Sequence, residues 1–127
     1  SAEPKNTSAR RPDMGLRWAG RVMFLTTIAL ITDLALQPGY ATPATLLGSD
    51  KLEHVAAFFV LAMLARLGWP TADRLLLGGL LALYGLGIEY VQSMDFVGRT
   101  ASSSDFVADL VGIMLGFLVL RFLAPRK

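Results

Sequence analysis

From Leu75 to Ile88 the chain reads LLLGGLLALYGLGI, about four turns of helix with no charged side chain and no polar face at helical spacing. A buried helix in a soluble bundle still needs an outer face that water can wet, and this run has none. The expected solvent is the lipid bilayer. Crossing its hydrocarbon core takes roughly 20 apolar residues, and the windows 18–36, 52–69, 75–94 and 106–123 all come close to that length. Breakers separate them: Pro38, Gly39 and Pro43 after the first, Pro70 after the second, and Gly98 with a serine run after the third. The expected fold is all-α, a polytopic membrane protein with four transmembrane helices in an antiparallel bundle. Composition agrees, since 127 residues with 54% hydrophobic and 17% charged side chains leave room for one domain and are unlike a soluble one.

The basic residues orient the bundle. Lys5, Arg10, Arg11, Arg17, Arg21, Arg66, Arg74, Arg121, Arg126 and Lys127 fall on one side of a four-span chain, and only Lys51 and Arg99 on the other. This positive-inside bias places both termini in the cytoplasm. The basic charge is thus a topology signal, and no nucleic-acid partner is expected. Trp18 and Trp69 suit the inner interface, while Arg66 and Arg121 are placed to snorkel from helix ends. Residues 1–16 read as a disordered basic cytoplasmic tail able to touch anionic lipid, and residues 17–127 as the transmembrane domain. A basic stretch before an apolar run also fits a signal peptide, but a run of about 19 residues favours a retained anchor. The chain has no cysteine, which removes disulfides and thiolate metal sites.

The acids distribute in the opposite way. Asp33, Asp50, Glu53, Glu89, Asp95, Asp105 and Asp109 all belong to the outer half. Counted back from the loop between the third and fourth helices, Glu89 and Asp109 lie at one depth, roughly 7 Å below the helix ends at about 1.5 Å per residue. Asp50 and His54 are spaced i, i+4 at the start of the second helix, with Lys51 beside them. Glu89 and Gln92 are an i, i+3 pair, and Asp105 and Asp109 an i, i+4 pair. Three helices therefore aim polar pairs at one layer. An ionised residue deep in the membrane costs on the order of 3 kcal/mol, so such groups face a bundle interior or a wet cavity. Ser102, Ser103 and Ser104 are N-cap candidates for the fourth helix, and Asp105 also suits its first turn. Asp33 reads equally as an interfacial residue or as another member of the layer. Gly112 and Gly116 form a GxxxG step, used first for packing within the chain and second for pairing with another copy as a homo-oligomer.

These residues carry a resemblance. Asp50-Lys51-x-x-His54, Ile88-Glu89-x-x-Gln92, and Arg99-Thr100-Ala101 followed by Asp105-x-x-x-Asp109-x-x-Gly112 closely resemble the VanZ-like family of small bacterial membrane proteins. The similarity spans about residues 49–116. Many members carry Asn at the position of Asp109, so this chain adds an ionisable group there. The family takes its name from a protein associated with low-level teicoplanin resistance. The resemblance implies a multi-pass protein of the bacterial cytoplasmic (inner) membrane with a motif cluster at the membrane surface.

Three functions fit the layer. The first is a binding or accessory role, in which an outer-leaflet pocket of Asp50, Lys51, His54, Glu89, Gln92, Arg99, Asp105 and Asp109 takes a lipid-linked envelope precursor or an amphipathic glycopeptide. Lys51 and Arg99 then meet phosphate or carboxylate, while Glu89, Gln92 and Asp109 bond sugar or amide groups. The second is a membrane-interface hydrolase or transferase, with His54 as base or acid, Asp50 orienting its ring, and Glu89, Asp105 and Asp109 supplying a second acid or holding a divalent cation. One histidine and no cysteine give no metal signature of recognised spacing, so neither a metal nor another cofactor is expected from the motifs alone. The third is structural or partner-binding, with the layer fixing helix register. No polar path continues through the inner half of the helices, which disfavours a channel or transporter.

Overall fold

The computed structural model describes residues 13–37, 50–94 and 103–123. Four helices make up most of this: α1 (Asp13–Ala35), α2 (Asp50–Gly68), α3 (Arg74–Gln92) and α4 (Ser103–Leu123), with no strand among the described residues. All four start earlier than expected, most of all α1 at Asp13 and α4 at Ser103, so residues 13–16 are helical. The longer starts of α1 and α4 bring acids or serines to a helix start, where unpaired N–H groups favour them. At the other end of the chain's third helix, the Ser93 N–H bonds back to the carbonyls of Glu89 and Tyr90, closing α3 at Gln92.

Three helices, Met14–Ala35, Arg74–Gln92 and Ser103–Leu123, are long and apolar enough to cross a membrane. The fourth expected span, α2, is not, because Asp50, Lys51, Glu53 and Arg66 interrupt it. Its position explains that composition. The core is built around α2, from Phe58, Leu61, Ala62 and Ala65, joined by Leu77 and Leu81 of α3 and Ile113 of α4. By contrast α3 turns Leu75, Leu76, Leu80 and Leu83 outward, and α4 turns out Val107, Val111, Met114 and Leu118. Lipid accepts such a surface and water does not. The helix that meets the surroundings least is the one free to carry polar groups.

The closest packing is between α2 and α4. A Cβ on Gly112 would collide with the Val55 carbonyl oxygen, and one on Gly116 would lie 2.7 Å from the Phe59 carbonyl oxygen and 2.8 Å from Ala62 Cβ. The glycine step is therefore used inside the chain, against α2. Because Val55 meets Gly112 and Phe59 meets Gly116, the two helices run side by side in the same direction. Against α4, α3 runs the other way, since Gly78 faces Phe117 while Gly85 faces Asp109.

At the end of α2 remote from Lys51, Arg21 Nε donates to the Gly68 carbonyl at 2.7 Å, and its guanidinium lies 5.0 Å from the Trp18 ring centre and 5.4 Å from that of Trp69. Cation–π contact and a cap on α2's last turn thus hold α1 to α2. Arg66, expected only to snorkel, donates to the carbonyls of Pro70 at 2.9 Å and Ala72 at 3.1 Å and braces the turn into α3. Asp73 caps α3 by accepting from the Leu75 N–H. Arg121 is exposed.

Gly112→Ala forces backbone apart, and is expected to lower stability by about 1–3 kcal/mol, as overpacking does elsewhere. Gly79→Ala meets nothing within 4 Å and should leave stability unchanged. Thermal unfolding in detergent, followed by circular dichroism, compares the two.

Candidate functional site

The polar layer follows from register. Lys51 and His54 lie one turn apart on α2, Asp105 and Asp109 one turn apart on α4, and the parallel course of these helices sets each base opposite an acid. Lys51 Nζ donates to Asp105 Oδ1 at 2.5 Å, and His54 Nδ1 lies 2.7 Å from Asp109 Oδ1. The far ring nitrogen, His54 Nε2, is 3.9 Å from Asp105 Oδ2, in charge contact but beyond a hydrogen bond. From α3 comes Glu89, so that His54, Glu89 and Asp109 each offer one donor atom and these atoms lie within 4.8 Å of one another.

Burial is uneven across the layer. Asp109 is 1% exposed, Asp105 3% and Glu89 7%, whereas the Lys51 side chain is 48% exposed. His54, Glu89 and Asp109 sit roughly 5–9 Å inside the ends of their helices, and Asp105 about 3 Å, at about 1.5 Å per residue. Three carboxyl groups are thus withdrawn from solvent, and half-exposed Lys51 lays its ammonium on one of them, Asp105. Carboxylates so placed are tolerable only where bases and hydrogen bonds replace their hydration.

Gly85 provides the room. A Cβ at that position would come within 2.8 Å of Asp109 Oδ2 and 3.2 Å of Phe58 Cζ, so the carboxylate occupies space that any larger residue would claim. The sequence signal of this role is the spacing of Gly85, four residues before Glu89 and so on the same face of α3.

The other expected members part company. Gln92 is buried on the Glu89 face of α3, but its Nε2 donates to the Ala35 carbonyl at 3.1 Å and ties α3 to the end of α1. Thr32 and Tyr84, which share a 2.5 Å hydroxyl contact, continue that seam. Asp33 is exposed on α1. Arg99 and the Asp50 side chain lie outside the described residues. Among the described residues the carboxylate at His54 Nδ1 is that of Asp109.

Residues 4–124 match the family model described as VanZ/LLP1. The chain belongs to the VanZ/LLP1 family. No curated protein and no solved structure matches it. Membership agrees with the resemblance carried by Lys51, His54, Glu89, Asp105 and Asp109, and in this VanZ/LLP1 chain those five residues, separate in sequence, form one contiguous layer. Family and helices together make it a membrane protein of the VanZ type.

The distances set the expected couplings in this VanZ/LLP1 layer. A double-mutant cycle of His54→Ala with Asp109→Asn should show an interaction within the roughly 0.5–3 kcal/mol found for touching residues. The cycle of His54→Ala with Asp105→Asn should give a smaller value. Unfolding in detergent measures both, and equal couplings would contradict the geometry.

Proposed function

We propose that the chain is a multi-pass protein of the bacterial cytoplasmic membrane whose polar layer binds the polar portion of a lipid-linked envelope precursor or an amphipathic glycopeptide. In this reading all four helices span the membrane as an antiparallel bundle, both termini are cytoplasmic, and the layer lies just beneath the outer surface. The charge bias of the chain supports the orientation. One observation carries the binding role: Lys51, half exposed, stands over a buried group of Asp105, His54, Asp109 and Glu89 at one end of the helices. An ammonium there meets a phosphate or carboxylate, and the acids beneath it accept from hydroxyl and amide donors. An accessory role of the teicoplanin-resistance type follows if the ligand is a glycopeptide.

The 2.7 Å contact between His54 and Asp109 favours one second reading, a membrane-interface hydrolase or transferase. A carboxylate that fixes one ring nitrogen leaves the imidazole ready for proton transfer at the other.

The absence of native cysteine makes orientation directly testable. A cysteine placed at Ser93 should react with a membrane-impermeant maleimide added to intact cells, and one at Arg121 only after lysis. The reverse pattern would move the layer to the cytoplasmic face.

The binding role predicts that a photoactivatable lipid-linked sugar pyrophosphate crosslinks to the protein in nanodiscs, and that Lys51→Ala or Glu89→Ala reduces crosslinking at least tenfold at unchanged expression. Crosslinking that ignores both substitutions counts against it. Turnover of the probe by the wild type, lost in His54→Gln, would favour catalysis instead.

A further inference from the structure

We propose that His54, Glu89 and Asp109 form a binding site for one divalent transition-metal ion, with Asp105 and Lys51 as its outer support. The proposal goes beyond ligand recognition and does not depend on it. It starts from convergence: three helices each deliver one donor, an imidazole nitrogen from α2, a carboxylate from α3 and a carboxylate from α4, all within 4.8 Å. An ion with ligand distances of about 2.0–2.2 Å needs its donors roughly 3–3.5 Å apart. The present spread approaches that spacing, and His54 Nδ1 and Asp109 Oδ1, now 2.7 Å apart, need to separate by only a few tenths of an ångström.

Charge points the same way. Glu89, Asp105 and Asp109 are all buried. Lys51 answers Asp105 directly, while Glu89 and Asp109 both bring a carboxylate to the side of the His54 ring. A divalent cation between Glu89 and Asp109 balances them without requiring either to hold a proton.

The surroundings are those of a supported ligand set. Metal-bound histidines present their second ring nitrogen to a carboxylate, which sets the tautomer and ring angle. Here Nε2 faces Asp105 Oδ2 at 3.9 Å, and Asp105 is held from behind by Lys51. Gly85 keeps clear the space in which the Asp109 carboxylate turns. One imidazole with two carboxylates suits zinc, manganese or iron better than magnesium or calcium, which prefer all-oxygen shells. Three protein donors also leave at least one position for water or a ligand oxygen.

The test uses the full chain in detergent, purified through a tag without histidine and stripped with a chelator. Equilibrium dialysis against zinc, manganese or cobalt, followed by elemental analysis, should give one tightly held ion per chain, together with a raised melting temperature. His54 is the only histidine, so diethyl pyrocarbonate modification reports on it alone and should be suppressed by the ion. His54→Gln and Glu89→Gln should each weaken binding by more than about tenfold, the least effect expected when even an outer partner of a metal site is lost. Substoichiometric metal with unprotected His54 would overturn the proposal. So would binding that survives both substitutions, which marks an adventitious ion only. Should either variant fail to fold, the protection of wild-type His54 decides the matter. Failure here leaves crosslinking of the lipid-linked probe untouched, so the two readings are separable.

Discussion

Asp109, almost wholly withdrawn from solvent within a chain whose outer surface is leucine, valine and methionine, can be solvated only by other parts of the protein. Its nearest partner is His54, and the two meet because α2 and α4 run parallel at a separation that Gly112 and Gly116 permit. Were either glycine larger, the backbones would part and the imidazole and carboxylate would lose each other. Close helix packing and the polar layer are therefore one constraint. The small residues set a distance, and the charges use it.

This dependence explains how polarity is allotted among the helices. A lipid-facing helix gains from every apolar side chain it shows, and α3 and α4 follow that rule along their outer faces. Enclosed by the other three, α2 is released from it. Lys51, Glu53 and His54 gather at its start, while at its far end Arg66 spans the carbonyls of the turn into α3. At that same end Arg21 and the two tryptophans join α1 to α2. The seams are unlike in chemistry, cation and aromatic at one end, cation and carboxylate at the other.

Much of this was legible from periodicity. The four helices, the shared depth of Glu89 and Asp109 and the approach of His54 all follow from counting residues at a fixed rise. Pairing was harder to read, because it depends on which helix neighbours which. Lys51 could have met any acid of the layer, and its choice of Asp105 comes from the relative register of α2 and α4. Gln92 has the spacing of a site residue, yet its amide serves the end of α1. The three donors of the proposed metal site lie on separate helices, so no short motif announces them. Composition alone also does not reveal that α2 is the helix the others cover.

The central place of α2 bears on how the protein is made. A segment opening with Asp50, Lys51, Glu53 and His54 partitions poorly from a translocation channel into lipid by itself, whereas α1, α3 and α4 are apolar enough to enter unaided. Its residence depends on neighbours that already offer a counter-charge and a groove. Since Asp105 and Asp109 are synthesised last of these groups, α2 has to wait for α4 before its polar start is satisfied. The packing of the bundle is thus completed by its last helix, whose two acids meet the polar start of α2.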